Sequence, residues 1–237
     1  PTYLKVINNQ LTAMFNYGMK FQGLPRNTAR DCGSIGKKKS DKVQFWTENE
    51  FKFFIKNVEN KEISKTLFNL LFYTGLRVGE ALALTLEDFN FEEKTISITK
   101  SFTRHLGKDL IQKPKTPKSK RIVFIPSFLS ELVKEYIEKL YDYRPNERLF
   151  LVTKHYLLHE IRRGIKETQL KRIRTHDLRH SHASYLIELG ISIYVISERL
   201  GHENIKTTLD TYSHLYPNKQ EEVADKLQEI FMKEKIG

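Results

Sequence analysis

Apolar residues along this chain recur mostly at helical spacing. In residues 1–24 they stand three or four positions apart, which predicts one amphipathic helix. Thr47 and Glu50 form the Thr-x-x-Glu pattern of a capping box, so a helix is expected to begin at Thr47. A more apolar helix follows and ends near Gly75, and residues 77–82 begin another. From residue 127 the helical pattern returns. Its expected breaks are Pro145, Gly190, Gly201 and Pro217.

Two short segments depart from this helical pattern. Residues 95–100 alternate with a period of two, and residues 121–126 are a β-branched run that a proline closes. Between them, residues 113–120 form a basic turn. We therefore expect a mainly α-helical fold with a small antiparallel β-sheet and a lysine-rich loop. At the end of the chain, residues 218–235 are expected to form a polar amphipathic helix.

The composition of residues 25–42 is typical of a linker, with proline, glycine and serine breaks and the run Lys37-Lys38-Lys39. This segment separates an N-terminal helix from one larger domain over residues 43–237. Its charge would suit a segment that passes along DNA. Because the chain starts at Pro1 and enters a helical pattern at once, we expect it to be a fragment of a longer protein.

Charge points to a polyanionic partner. Lysine and arginine number 40 against 29 aspartates and glutamates, for a formal net charge of +11. Clustered cations gain affinity by releasing counterions from phosphates, although a merely solvated basic surface would explain the charge as well. A single cysteine excludes an internal disulfide framework. The sequence has no apolar run of membrane-spanning length and no signal peptide, so we expect a cytoplasmic protein with no membrane contact.

Two arginines occur where a phosphate could be held. Arg77 follows Gly75 near an expected helix N-terminus, where main-chain N–H groups also attract an anion. Arg179 follows His176 by three positions, so a helix would present both side chains on one face. Arginine suits phosphate because its planar guanidinium donates two parallel hydrogen bonds and keeps its charge. Taken alone, Arg77 would more often be a surface ion pair.

The histidines of the same segment allow other interpretations. His176 and His180 are four positions apart and His182 follows, as in some metal sites. No third ligand of fixed spacing accompanies them, and nearby arginines disfavour a cation, so no metal is expected. His180 and His182 are interpreted as packing or capping residues. Residues 182–202 also carry the pattern of a helix-turn-helix, which would give DNA binding without catalysis.

Tyr212 lies ten positions after His202, a combination that suits attack on a phosphate. A phenol has a pKa near ~10, so Tyr212 must pass its proton to a nearby group as it attacks. The leaving oxygen needs a proton as well, and a lysine of residues 113–120 could supply it. A single tyrosine is usually core or surface. The interpretation therefore depends on the ordered set with Arg77 and Arg179.

Three ordered motifs make the chain resemble the tyrosine recombinases, in particular the integrases of phages and conjugative transposons. Residues 74–82 resemble the first arginine box of that family and residues 175–184 the second. Residues 200–202, with Tyr212, resemble the third box and its nucleophile. The resemblance covers about residues 45–216 and implies the fold of DNA breaking-rejoining enzymes. Residues 1–42 would then be a remnant of a helical core-binding domain plus a basic linker, and residues 43–237 the catalytic domain with its C-terminal helix.

The resemblance also implies roles for individual residues. Arg77 and Arg179 would clamp the scissile phosphate with His202, and His176 would assist proton transfer at the nucleophile. Tyr212 would form a 3′-phosphotyrosyl link and release a 5′-hydroxyl. Two further residues match positions of the family: Lys115 as the catalytic lysine, with Lys118 in reserve, and Glu80 beside the first arginine. From their charge, the linker and loop lysines are expected to contact DNA; these are Lys37, Lys38, Lys39, Lys113, Lys118 and Lys120.

The function implied by the resemblance is site-specific recombination that integrates or excises a mobile element without a metal, ATP or other cofactor. Double-stranded DNA with attachment sites would be the partner, bound by a homotetramer that forms on DNA from chains that are monomers without it. The setting would be the DNA of a bacterial cytoplasm. Two alternatives remain open: a type IB topoisomerase with the same phosphotyrosine chemistry, and a helix-turn-helix regulator that binds DNA only.

Overall fold

A computed structural model of the chain describes residues 2–36, 44–114, 117–215, 228, 231 and 232. The chain divides into two compact units, Pro1–Val43 and Gln44–Gly237. Helices make up most of the described residues, and the strands form two small antiparallel sheets. The expected fold class is therefore confirmed. None of the helices in these residues combines the length and the apolar character that crossing a bilayer requires.

One long helix dominates the first unit. Helix α1 spans Thr2–Phe21, as the apolar spacing predicts. A short helix α2, Thr28–Asp31, interrupts the segment expected to be a linker. Asn27 explains α2, because its side-chain oxygen accepts a hydrogen bond from the Arg30 backbone N–H at 3.0 Å and its Nδ2 donates to the Thr12 carbonyl at 2.9 Å. The linker prediction is wrong at α2, and its lysines Lys37, Lys38 and Lys39 lie outside the described residues.

The first helix of the second unit begins at the predicted capping box. Thr47 donates its backbone N–H to Glu50 Oε2 at 2.7 Å, and Thr47 Oγ1 accepts from the Glu50 backbone at 3.3 Å. Helix α3 (Glu48–Val58) starts there, which confirms the prediction. Helix α4 (Glu62–Thr74) ends at Gly75 as expected, and the short helix α5 (Val78–Ala81) follows at once.

The predicted sheet is present between α5 and the later helices. Strands β1 (Phe89–Asn90), β2 (Thr95–Ile98) and β5 (Arg121–Phe124) are antiparallel in the order β1-β2-β5. Ile96 pairs with Val123, and both are buried, whereas Ile122 and Phe124 are exposed. In β2, the buried Ile96 and Ile98 alternate with polar residues, which is the source of the period-two pattern at residues 95–100.

A second sheet lies in a segment where the sequence analysis places no strand. Strands β3 (Ser101–His105) and β4 (Lys108–Gln112) form an antiparallel hairpin. Its turn consists of Leu106 and Gly107, which both have positive φ angles of 48° and 77°. The basic turn expected over residues 113–120 is thus preceded by a hairpin and contains a short 3-10 helix, Pro117–Ser119.

Five further α-helices follow in the described part of the second unit, and a 3-10 helix, Ser213–Leu215, comes after the last of them. The α-helices are α6 (Ser127–Glu138), α7 (Lys154–Thr168), α8 (Asp177–Glu188), α9 (Ile193–Leu200) and α10 (Ile205–Tyr212). Gly190 and Gly201 have positive φ angles of 77° and 65°, so the predicted breaks after α8 and α9 are confirmed. Of the tail helix expected over residues 218–235, the structure describes only residues 228, 231 and 232, all of them helical.

Two apolar clusters hold these helices. The larger one contains an aromatic group around α3 and α4, in which the Phe51 and Phe72 rings stack 3.9 Å apart and Trp46 is fully buried. The smaller cluster joins α8, α9 and α10. Its buried members are Ala183, Ile187, Ile196, Leu200 and Tyr212. The candidate nucleophile is therefore part of a small core.

Candidate active site

The candidate site forms where the C-terminal end of α4 meets α8 and α9. Gly75 allows this approach, because a Cβ atom there would lie 2.5 Å from His182 Cδ2 and 2.8 Å from Leu200 Cδ2. Its φ angle of 67° is also one that glycine adopts without strain. His182 is buried beside it and accepts a hydrogen bond from Arg199 Nε at 3.1 Å. The glycine of the first motif thus brings the later motifs close to it.

Both candidate arginines bind backbone carbonyls at the ends of these helices. Arg179 is 3% exposed and donates from Nη1 to Gly75 O at 2.7 Å and from Nη2 to Leu200 O at 2.6 Å. Arg77 donates from Nη2 to Gly201 O at 3.3 Å, and its side chain is 38% exposed. Carbonyls in the last turn of a helix lack helical partners, and cations satisfy them well. Burial, followed by the positive charge of Arg77, lowers the pKa of Arg179.

A buried carboxylate supports Arg77. Glu80 is 4% exposed and accepts from Arg77 Nη1 at 2.7 Å and from the Arg77 backbone N–H at 2.9 Å. Arg121 donates to the same carboxylate, from Nη2 at 2.9 Å and from Nη1 at 3.2 Å. Burial by itself raises the pKa of Glu80, but the hydrogen bonds and charge of Arg121 and Arg77 outweigh it, so the pKa lies below its ordinary value. In the sequence, Arg121 is only the first residue of an expected strand, and its link to Glu80 is visible only in the structure.

His202 follows Gly201, where the chain turns away from α9. Its Nδ1 lies 2.8 Å from Thr208 Oγ1. Burial, followed by the charges of Arg179 and Arg77, lowers the pKa of His202 to about 4. The imidazole is therefore neutral at neutral pH and still carries one N–H donor.

Tyr212 ends α10 and is 2% exposed. Its hydroxyl lies 2.6 Å from His180 Nδ1. Burial raises the pKa of Tyr212 well above that of a free phenol, and the charge of Arg179 opposes this effect only in part. Burial, followed by the neighbouring His176, lowers the pKa of His180 to about 4. The phenol and the imidazole are thus both neutral at neutral pH.

His176 does not contact the phenol in this arrangement. It is exposed at the start of α8, and its ring meets the His180 ring edge to face, with centroids 5.3 Å apart. His180, expected to pack or cap, does pack against the rings of His176 and Tyr212, and it also meets the Tyr212 hydroxyl, a contact that the sequence does not predict. The signal that could have found it is the four-residue spacing from His176, which puts both rings on one face of α8.

The loop lysines have different surroundings. Lys115 lies outside the described residues. Lys118 donates from Nζ to Glu203 O at 2.9 Å, and Lys120 is exposed. Lys113 lines the same cleft as Arg77 and His202.

This cleft has a volume of about 410 Å³. Glu80, Ser101, Ser119, Gly201 and Thr207 also contribute to its walls. Arg179 and Tyr212, which are 3% and 2% exposed, do not contribute to the described walls of this cleft. Among all the residues that the structure describes, no group of three histidine, cysteine or acidic side chains is placed to hold a metal ion. Cationic and neutral donors at an open cleft, with a phenol close by, can hold an anion the size of a phosphate and attack it.

Comparison with known proteins places this geometry in context. A profile described as the phage integrase family matches residues 44–219. The chain is 35% identical over 243 residues to the ICEBs1 integrase of Bacillus subtilis, covering 95% of this chain and 66% of the relative. It is 27% identical to a XerC-like tyrosine recombinase of Caldanaerobacter subterraneus, over 97% of this chain and 66% of that protein. The chain thus spans about two thirds of the length of these relatives.

Solved structures share the fold. The Tn1549 transposon integrase, solved in complex with a circular intermediate DNA, superposes with a TM-score of 0.78 at 20% identity, over 96% of this chain and 79% of that one. XerA recombinase gives a TM-score of 0.59 at 22% identity, over 94% and 73% of the two chains. The fold expected from the sequence motifs is therefore confirmed.

Proposed function

The chain belongs to the phage integrase family, and from this membership and the geometry of its cleft we propose that it cleaves and rejoins double-stranded DNA at specific sites. The reaction would pass through a covalent 3′-phosphotyrosine and would integrate or excise a mobile element. The observation that carries the proposal is that Arg77, Arg179 and His202 meet around the turn after α9, and that the charge of Arg179 acts on Tyr212.

Each of these groups has a distinct task in the proposed reaction. Arg77 and Arg179 donate to the non-bridging oxygens of the scissile phosphate, whose negative charge grows as the nucleophile attacks. His202 is neutral and donates a third hydrogen bond. Glu80 holds the Arg77 guanidinium at 2.7 Å and so orients its remaining donors toward the cleft.

The proposed step breaks one bond to phosphorus and forms another. The Tyr212 oxygen attacks, the bond from phosphorus to the 5′-oxygen breaks, and the 5′-oxygen leaves as a hydroxyl after it gains a proton, for which we propose Lys115. His176 assists proton transfer on the nucleophile's side. In rejoining, a 5′-hydroxyl attacks the phosphotyrosine and releases Tyr212. The ester conserves the energy of the broken bond, so ATP is not needed.

Double-stranded DNA is the partner that the family and the charge support. The Tn1549 integrase was solved bound to transposon DNA, and this chain has a net charge of +11. We assign DNA contacts to the basic linker and to the loop. These residues are Lys37, Lys38, Lys39, Lys113, Lys118 and Lys120. Residues 1–42 are proposed to belong to a core-binding domain, and a homotetramer on DNA is the proposed assembly.

The test is formation of a protein–DNA adduct. A pool of nicked duplexes with a randomised central segment is incubated with the protein, denatured in SDS, and the protein-linked DNA is recovered and sequenced. We expect adducts from the unmodified chain and none from Tyr212→Phe, which lacks the attacking oxygen. Tyr141→Phe is the matched control, because Tyr141 is 99% exposed and should keep its adducts.

Recovery of adducts from Tyr212→Phe would show that the nucleophile is misassigned. DNA binding without any adduct from the unmodified chain would instead favour the helix-turn-helix regulator. Relaxation of supercoiled plasmid without strand exchange would favour the type IB topoisomerase.

A further inference from the structure

We propose that His180 is the base that takes the proton from Tyr212 as the phenol oxygen attacks DNA. This inference rests on the proposed function and adds a catalytic residue to it. It assigns to His180 the direct contact with the nucleophile, and it places His176 one step further away.

The first support is the contact itself. His180 Nδ1 and the Tyr212 hydroxyl are 2.6 Å apart, a distance at which the hydroxyl donates directly to the ring nitrogen. Because Tyr212 is 2% exposed, bulk water has little access to this hydroxyl. In the part of the chain that the structure describes, His180 is the side chain that meets it.

The second support is the rigidity of the pair. His180 lies in the first turns of α8, and Tyr212 is a buried member of the cluster that joins α8 to α10. Both side chains are therefore held in one helical cluster, in which α9 packs against α8 and against α10. A base fixed at hydrogen-bond distance from its proton loses little entropy when it reacts.

The protonation state fits a base. Burial, followed by the nearby His176, Arg179 and Arg174, lowers the pKa of His180 to about 4, while Asp177 opposes this shift. The ring is thus neutral at neutral pH and has one unprotonated nitrogen. For Nδ1 to accept the phenol proton, the ring hydrogen must be on Nε2.

The same environment keeps the proton on Tyr212 in the free protein. Burial raises the pKa of the phenol, so it remains protonated in the free protein. A phosphodiester in the cleft adds negative charge near these rings, which raises the pKa of an imidazole. Transfer then accompanies bond formation: the proton passes from Tyr212 to His180 Nδ1 while the oxygen bonds to phosphorus. In rejoining, the imidazolium returns this proton as the bond between Tyr212 and phosphorus breaks.

The experiment compares single-turnover rates of adduct formation on duplexes recovered from the nicked pool. His180→Asn keeps an oxygen acceptor near the Nδ1 position but cannot take a proton. We expect it to slow adduct formation by about 10²- to 10⁴-fold, the usual contribution of a general base. His155→Gln is the control, since His155 is exposed on α7, and it should cleave at the rate of the unmodified chain.

A second substitution separates a base from a structural residue. Replacing Tyr212 by 3,5-difluorotyrosine lowers the pKa of the phenol, so that the attack depends less on a base. We expect this residue to accelerate the His180→Asn protein by about tenfold or more and to change the rate with His180 in place only slightly. A structural role for His180 would give a defect that fluorination does not relieve.

Three outcomes would overturn the inference. They are cleavage by His180→Asn at an undiminished rate, a slow rate that difluorotyrosine does not restore, and a ¹⁵N histidine spectrum in which His180 Nδ1 is unchanged by Tyr212→Phe. The spectrum needs no DNA and applies even if His180→Asn does not fold. If the unmodified chain forms no adduct on any duplex, the proposed function fails and this role fails with it. An active chain with an equally active His180→Asn variant overturns the role of His180 alone.

Discussion

Gly75 combines two features that require glycine: a positive φ angle and close contact with neighbouring side chains. Its φ angle is 67°, and a methyl group on it would press on His182 and Leu200, the side chains that face it from α8 and α9. Its carbonyl also accepts from Arg179 at 2.7 Å. A small change here therefore affects both the stability of the domain and the position of an arginine proposed to bind phosphate.

We expect Gly75→Ala to lower the free energy of unfolding by about 2–4 kcal/mol, because a positive φ costs about 1 kcal/mol and overpacking adds about 1–3 kcal/mol. Urea denaturation measures the loss. Gly107→Ala is the matched control, since Gly107 has a φ of 77° but no atom within 4 Å of its would-be Cβ. Gly107→Ala should therefore lower the free energy of unfolding only by the cost of the positive φ, about 1 kcal/mol. Equal losses from the two variants would contradict the close approach of α4 to α8 and α9.

For some residues of the site, the sequence predicts the position on a helix but not the contact that the side chain makes. The spacing of His176 and His180 places both on one face of α8, but it does not say which of them meets Tyr212. That choice depends on where α10 lies against α8, and this is set by buried contacts of Ile187, Ile196 and Leu200. Arg121 was missed for a similar reason, since its partner Glu80 is 41 positions away.

At the level of elements, Arg121 joins three parts of the site. It starts β5, binds the Glu80 carboxylate on α5, and donates from Nε to the Arg199 carbonyl on α9 at 2.8 Å. Arg121 is almost fully buried, with 7% of its side chain exposed. A buried carboxylate that loses a charged partner is left poorly compensated.

We expect Arg121→Met to lower the free energy of unfolding at neutral pH by about 2 kcal/mol or more, because the volume is kept but a buried charged hydrogen bond is lost. The pKa of Glu80 is depressed in the folded chain, so its contribution is present above the unfolded value and disappears as pH falls. The difference in free energy of unfolding between the unmodified chain and Arg121→Met should therefore become smaller as the pH falls. Urea titrations at several pH values measure it, and a difference that stays constant would show that the ion pair is not its cause.

Elements with a buried face were predictable, and the others were not. The capping box at Thr47 and the alternation of β2 follow from local chemistry and from one buried side of a sheet, and β5 follows from its β-branched run. Strands β3 and β4 have mostly exposed side chains, so no apolar alternation marks them. Their turn also places Leu106 at a positive φ angle, which turn statistics do not favour for leucine.

For the second unit as a whole, stability in acid should depend on a buried ion-pair cluster far along the chain from the cleft residues. Glu160 on α7 is 1% exposed and accepts from Lys61 Nζ at 2.8 Å and from Arg163 Nη2 at 3.0 Å. Burial raises the pKa of Glu160, but these hydrogen bonds and charges outweigh it and lower the pKa to about 2. Through Lys61, which precedes α4, these ion pairs connect α7 to the start of α4.

A folded pKa of about 2, against an ordinary value near 4.5, corresponds to roughly 3 kcal/mol of stability. This contribution is complete above about pH 4.5 and is lost as pH falls toward 2. We expect Glu160→Gln to be less stable than the unmodified chain at neutral pH and equal to it near pH 2. Chemical denaturation followed by circular dichroism measures both curves. Parallel curves over this range would contradict the role of Glu160.

The burial of Tyr212 bears on how chromosomal DNA would be protected from unwanted cleavage by such a protein. A nucleophile that forms a stable ester with DNA is hazardous whenever it meets the wrong phosphate. Here Tyr212 is 2% exposed, within the apolar cluster of α8, α9 and α10, so a passing stretch of chromosome meets little of it by collision. In the proposed reaction only a duplex seated in the adjoining cleft would be cut. Correct seating, as well as base sequence, would then protect the chromosome from accidental breaks.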